Sequence, residues 1–276
     1  MKRIAVVLFS CMGLLLFSLD VLASKCTPAE EPSIDDVSVY EPVYFIVGGD
    51  GGLNAKFQIS FKYQITNDHG WLRNCLHIPA NLYLSYSQTS LWDLHDRSNP
   101  FKDTSYRPRL FYGRDSIWQI SSRWNLGLEA GLAHESNGKA DSDSRSINLG
   151  YVRPTLSYAM SDHYRVYIAP MIYSYIDKGE NPDINDYRGN VDLLIGIGDG
   201  NDGTYGWNAW TVLRKGDRGH YGSVEANVAV PFKYISFGYM NGWLLLQYFN
   251  GWGESLLDYN KKLTSQFRAG FAIRVQ

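Results

Sequence analysis

His134 and Ser136 stand two positions apart in the chain, and Asn148 follows after a short break. A hydroxyl, an imidazole and a group that holds the imidazole in place are what nucleophilic acyl transfer needs. The imidazole takes the proton as the hydroxyl attacks a carbonyl carbon. Asparagine is neutral, so it orients the ring but stabilises the imidazolium less than aspartate would. A bare His-x-Ser is common, so its placement must carry the argument.

Placement comes from the surrounding strands. Across residues 124–132, Trp124, Leu126, Leu128, Ala130 and Leu132 alternate with Asn125, Gly127, Glu129 and Gly131. A period of two is a strand with one apolar face. His134 and Ser136 keep the parity of the apolar set, and Glu135 points the other way. Residues two apart on one strand face are about 6.6–6.8 Å apart along the chain, close enough for two side chains to lean together. Asn137, Gly138 and Lys139 make a turn, and the chain re-enters a strand near Ser144. Asn148 lies on that second strand, within reach of the first. The bland alternative is a polar pair at the strand end, above any apolar boundary.

The rest of the chain repeats this pattern. Residues 55–65 alternate most cleanly, with Phe57, Ile59, Phe61, Tyr63 and Ile65 on one face and Gln58, Ser60, Lys62 and Gln64 on the other. Twelve candidate strands follow from such readings: 39–47, 55–65, 81–92, 106–113, 123–136, 144–157, 164–176, 190–198, 205–214, 221–230, 242–250 and 266–275. No amphipathic helix of three turns and no domain boundary interrupts them. The even count and the strand lengths suit an all-β, 12-stranded antiparallel transmembrane β-barrel. A secreted two-sheet sandwich would present the same apolar faces one strand at a time. Lys62, Arg109, Arg123, Glu129, Arg153, Arg268 and Arg274 on the second face favour a wet lumen, although a sandwich could turn them to solvent.

Composition limits the other choices. The 276 residues include 20 Tyr, 12 Phe, 8 Trp and 26 Gly, with a formal net charge of -2. That balance gives no electrostatic case for nucleic acid as a partner. Residues 1–23 read as a signal peptide: Lys2 and Arg3, an apolar run, then Val21, Leu22 and Ala23 at a small-residue cleavage site. A lipoprotein site at Cys11 competes, but the apolar run continues past it. Residues 24–38 read as a polar periplasmic leader and 39–276 as the barrel. Outside the cytoplasm a Cys26–Cys75 disulfide is permitted, and two cysteines neither require nor exclude it.

The block His134-Glu135-Ser136-Asn137-Gly138-Lys139, followed by Ser144-Arg145-Ser146-Ile147-Asn148, resembles the outer membrane phospholipase A family. So do Asn99-Pro100-Phe101, Tyr106-Arg107-Pro108-Arg109-Leu110-Phe111, Asn181-Pro182-Asp183-Ile184 and the run from Gly251 to Asn260. The resemblance implies a catalytic triad of His134 as base, Ser136 as nucleophile and Asn148 as orienting group. It implies a Ca2+-dependent A1/A2-type hydrolase of phospholipids and lysophospholipids in a Gram-negative-type outer membrane, active as a homodimer, with its site toward the outer leaflet. The calcium ligands it implies are Ser98 from the neighbouring subunit, the Lys139 backbone carbonyl and Ser144. Asp96, Asp141 and Asp143 are nearby carboxylates in a loop that reads as wet and acidic. Two other functions compete: a passive channel or structural barrel, and an enzyme removing acyl chains from lipid A.

Overall fold

The computed structural model describes residues 37–50, 52–66, 77–98, 100–199, 206–234 and 241–274. The expected signal peptide, most of the leader, and Cys26 and Cys75 lie outside the described residues. The strands run β1 (Val37–Ser38), β2 (Val43–Gly48), β3 (Asn54–Gln64), β4 (Leu82–Asp93), β5 (Phe101–Gln119), β6 (Trp124–Ser136) and β7 (Ser146–Ala159). After them come β8 (Tyr164–Asp177), a short helix α1 (Ile184–Arg188), β9 (Val191–Asp199), β10 (Asn208–Lys215), β11 (Gly222–Pro231), β12 (Trp243–Trp252) and β13 (Lys262–Arg274).

From β2 to β13 each strand pairs antiparallel with its neighbours in sequence, and β13 pairs back onto β2. The result is a closed 12-stranded antiparallel barrel. Closure leaves no sheet edge, which hydrocarbon demands because it offers backbone groups no other partner. All twelve expected strands are present. Several differ in extent, β13 for one beginning at Lys262, and two have a local cause. The first is broken, because Pro42 has no N–H to give a ladder. Residues 39–42 leave the wall there: the Tyr40 hydroxyl donates to Glu129 Oε1 (2.6 Å), and Glu41 receives Arg107 and Arg109, each at 3.1 Å. Val37 and Ser38, expected in the leader, already pair with Tyr63 and Lys62. The second, β5, extends well beyond 106–113. Its register against β6 shifts between Arg114 and Trp118, and that irregularity hides the strand from a period-two reading.

The two faces separate as the alternation demands. Outward stand Ile59, Leu84, Leu132, Val152, Ile172, Leu246 and Phe267, all exposed. Such a belt right around a barrel is a lipid-facing surface. Inward, charges pair. Lys56 Nζ lies 2.8 Å from Glu225 and 3.3 Å from Glu254, Arg268 reaches Glu254 at 2.9 Å, and Arg214 reaches Asp192 at 2.9 Å. These pairs and the inward Tyr40–Glu41 segment leave a lumen cavity of about 210 Å³. Arg109, Glu129, Arg153 and Arg268 are lumenal as expected, and the Lys62 ammonium sits 4.9 Å from the Tyr83 ring centre. Arg123 is not lumenal. It lies exposed in the turn before β6 and donates to the Tyr158 hydroxyl at 3.4 Å.

Behind β5–β8 the interior is apolar. Phe111, Ala133, Ile147, Leu149, Tyr151, Met171 and Tyr173 pack with Ile184 of α1 and with Leu256 and Tyr259. Three of these, Ala133, Ile147 and Leu149, flank the residues singled out above, so the wall that carries them is braced from inside. Gly131 lets β5 come close: a Cβ there would stand 2.3 Å from the Leu110 carbonyl oxygen.

Candidate active site

β6 and β7 pair in unbroken register, with His134 opposite Asn148 and Ser136 opposite Ser146. Directly opposed residues bring their Cβ atoms within about 4.5–5.5 Å. His134 Nδ1 and Asn148 Oδ1 accordingly meet at 2.8 Å. An amide oxygen only accepts, so Nδ1 is the donor, and in the neutral ring this leaves the lone pair on Nε2. Ser136 shares the outer face with His134, two positions on. No hydrogen bond joins Ser136 to His134 among the described residues. The imidazole and hydroxyl are half-buried, while neighbouring Leu132 is 55% exposed. Glu135 between them turns inward, as its parity required.

The turn after the nucleophile position is closed by Asn137, in the sequence only a turn residue. Its side chain is buried. Nδ2 donates to the Asp143 carbonyl at 2.8 Å, and Oδ1 accepts from the Arg145 N–H at 3.0 Å and the Lys139 N–H at 3.3 Å. The Asn137 N–H also donates to the Arg145 carbonyl at 3.0 Å. One amide therefore ties both ends of the 137–145 connection. An Asn directly after a strand is the sequence signal for such a clasp, but its burial and its partners are named only by the folded loop. Gly138 has φ +66°, and a Cβ on it would meet the Tyr106 ring at 2.9 Å. Tyr106 is the register partner of Ser136 on β5. The Gly138 N–H has no acceptor among the described residues.

The expected cation ligands fall on loops at the same end of the barrel. Ser144 Oγ donates to Glu180 Oε1 at 3.0 Å. Lys139 sends its ammonium to the Lys102 carbonyl at 2.7 Å, and its own carbonyl receives no hydrogen bond among the described residues. A hydroxyl, a free carbonyl and an adjacent carboxylate are hard oxygen donors of the kind Ca2+ prefers, so this set fits. It is short of a full coordination shell within one chain. Ser98 is exposed on the loop between β4 and β5, with φ +70°, and no hydrogen bond joins it to Ser144 or Lys139 among the described residues. That loop is organised by Asp93, which accepts from the His95 and Asp96 N–H groups at 2.8 and 3.2 Å. Asp141 and Asp143 form one exposed turn of 3-10 helix.

The 178–190 loop roofs the lumen at this end and reaches both site strands. Asn181 Nδ2 donates to the Ser146 carbonyl at 2.7 Å, and Arg188 of α1 reaches Glu135 Oε2 at 3.2 Å. Burial is the largest influence and disfavours the Arg188 charge, but the Glu135 carboxylate together with Tyr173 and Tyr175 raises its pKa overall. Tyr259, hydrogen-bonded to Asp183, has its phenol pKa raised by burial and by that carboxylate. In the sequence Asn181 and Asp183 stand out only as part of a motif, because their partners lie far away in the chain.

Known proteins resemble this chain over most of its length. The chain is 33% identical over 228 residues to phospholipase A1 of Escherichia coli strain K12, an alignment covering 79% of this chain and 68% of that one. It is 33% identical to a putative phospholipase A1 of Neisseria meningitidis over 75% of its own length, but spans only about half (51%) of that relative. The fold superposes on the Salmonella typhi outer membrane phospholipase dimer with bound calcium at a TM-score of 0.69, with 25% identity, covering 87% of this chain and 92% of that one. The family model for phospholipase A1 matches residues 39–273, and the chain belongs to that family.

Proposed function

We propose that the protein is a calcium-dependent outer-membrane phospholipase that hydrolyses acyl esters of phospholipids and lysophospholipids at either glycerol position. The observation that carries this reading is the His134–Asn148 hydrogen bond on the lipid-facing wall, with Ser136 on the same face. An imidazole and a hydroxyl on a lipid-facing wall cost free energy unless they serve each other or a polar substrate. Here the substrate is the surrounding lipid, so the site needs no pocket inside the barrel.

In this reading Asn148 holds the imidazole with Nε2 free. Nε2 takes the Ser136 proton as Oγ attacks the ester carbonyl, and returns it to the departing lysophospholipid oxygen. Water then enters by the same route, with His134 again the base, and releases the fatty acid. The Ser136–His134 contact closes when substrate is bound, as catalytic hydrogen bonds often do. The Gly138 N–H is the nearest backbone donor for the oxyanion. Ser144, the Lys139 carbonyl and the partner subunit's Ser98 would hold Ca2+, and the bound ion would supply Lewis-acid stabilisation of the developing negative charge. A homodimer follows, since one chain offers too few donors. In this reading the site's end lies on the outer side of the membrane, toward the outer leaflet.

Below the triad lies an apolar apron: Leu110 on β5, Leu132 on β6, Val152 on β7, and Ile172 and Ile176 on β8. Gly150, two positions from Asn148 on the same face, leaves a notch between Leu132 and Ile176. An acyl chain running down this wall would keep its ester at Ser136. A passive channel is disfavoured by the paired charges filling the lumen.

The test is hydrolysis of diacyl phosphatidylcholine in mixed micelles, with and without Ca2+, beside Ser136→Ala and His134→Ala. Each substitution is expected to remove at least a thousandfold of kcat while the barrel stays folded. Hydrolysis that survives Ser136→Ala, or is indifferent to chelation, would overturn the reading.

A further inference from the structure

Glu135 is the residue between the base and the nucleophile, and its side chain is on the opposite face of the wall. Both carboxylate oxygens are engaged. Ser105 of β5 donates to Oε1 at 2.6 Å, and Arg188 of α1 donates to Oε2 at 3.2 Å. The ion pair is buried, with side-chain exposures of 9% for Arg188 and 10% for Glu135. Arg188 is itself held in place. The Tyr173 hydroxyl donates to its carbonyl at 3.2 Å, and its stem packs on Gly253, where a Cβ would stand 2.8 Å from Arg188 Cγ. The loop that carries Arg188 also holds β7, through Asn181 to the Ser146 carbonyl and Glu180 to Ser144.

One loop therefore grips both strands of the site from the lumen. On a strand, successive Cβ atoms alternate between faces, so rotation of the backbone at one residue swings both of its neighbours together. Fixing the Glu135 carboxylate fixes the outward directions of His134 and Ser136. Catalytic groups must be held within about 0.5 Å of their productive geometry.

We propose that Glu135 and Arg188 are positioning residues for the hydrolytic reaction, tying the 178–190 loop to the strand that carries base and nucleophile. The proposal rests on the triad reading above. Neither residue touches substrate. Their effect is on the alignment of His134 with Ser136, so it falls on kcat and not on lipid binding.

The experiment uses the full-length protein in detergent micelles with Ca2+. Glu135→Gln, Arg188→Gln, Arg188→Lys and Ser105→Ala are compared with Arg268→Gln, which breaks a still more buried lumen pair, with Glu254, on the far strand β13. For each variant kcat, KM, heat-modifiable gel mobility and the rate of inactivation by a sulfonyl fluoride are measured. Glu135→Gln and Arg188→Gln are expected to lower kcat and the inactivation rate about ten- to a hundredfold, with KM within about twofold. Arg188→Lys recovers most of the loss. Arg268→Gln lowers thermal stability but leaves kcat within about twofold. Where the Glu135 or Arg188 variants fail to fold, the milder Ser105→Ala is read, with an expected loss of kcat of about threefold or more. Unchanged kcat in folded variants, or an equal loss in Arg268→Gln, overturns the proposal and leaves the triad standing. Survival of hydrolysis in Ser136→Ala overturns the triad instead, and the two failures are distinct.

Discussion

His134 donates from Nδ1 to the Asn148 side-chain oxygen at 2.8 Å, across directly opposed positions of β6 and β7. The ladder register alone brings the two together, so the orienting group is as rigid as the wall. Its neutral amide fixes the tautomer without adding charge. Asn148→Ala frees the ring and is expected to lower kcat about ten- to a thousandfold, less than loss of Ser136. Asn148→Asp keeps an acceptor at the same place and is expected to retain a substantial fraction of activity. Steady-state kinetics on micellar phosphatidylcholine check both. An Asn148→Ala enzyme with full kcat would remove Asn148 from the mechanism.

Asn137 holds both ends of the turn that follows the nucleophile position. Asn137→Ala removes the hydrogen bonds to the exposed Asp143 carbonyl and the part-buried Arg145 N–H, at a cost of about 0.5–1.5 kcal/mol for each. The loop carries Gly138 and Lys139, so activity and calcium response are expected to fall together. The β6–β7 ladder itself should persist. Thermal melting of the heat-modifiable band and a calcium titration of activity check this. Asn137→Asp keeps the acceptor but loses the donor to Asp143, and is expected to fall between wild type and Ala.

The barrel was legible in the sequence because its physics is local. A wall with lipid on one side and a wet lumen on the other forces a period of two, and twelve strands could be counted from it. The Ser136, His134 and Asn148 faces were legible for the same reason. What parity does not carry is the partner across the lumen. Glu135 was visible as inward-facing, but nothing in the sequence joins it to Arg188, because the loop between β8 and β9 has no periodicity to position its side chains. Asn137 looked like any turn residue. The break at Pro42 was visible, but the inward path of Tyr40 and Glu41 was set by Arg107, Arg109 and Glu129 far along the chain. β5 was underestimated because its irregularity near Arg114 ends the alternation without ending the strand.

Ser144 meets Glu180 in the single chain, and that contact bears on calcium. If Ser144 is a ligand, its hydroxyl can go on donating to Glu180 while the oxygen lone pairs turn to the ion. Ser144→Ala removes one neutral donor from an oxygen site. It is expected to move the calcium midpoint of activity upward by about tenfold, the equivalent of about 1.4 kcal/mol, with activity at saturating calcium largely kept. Chelation is expected to abolish hydrolysis in wild type and variant alike. A midpoint unchanged by Ser144→Ala would place the ion elsewhere.

Gly150 offers a test in which stability and activity should part. It lies within β7 on the lipid-facing side, where a Cβ would meet Ile176 at 3.7 Å and Leu132 at 3.9 Å, ordinary contact distances. Its backbone is not among those with positive φ. Alanine therefore fits without strain and removes unfolded-state freedom, a gain of about 0.5–1 kcal/mol. If the notch beside the triad seats the acyl chain, filling it should displace the ester from Ser136. Gly150→Ala is thus expected to raise the melting temperature while lowering kcat/KM for long-chain phospholipid, and Gly150→Leu to lower it further. Short-chain esters, which need less of the wall, should be affected least. Equal losses for short and long chains would mean that the notch does not seat the acyl chain, and a gain in both stability and long-chain activity would exclude Gly150 from substrate binding.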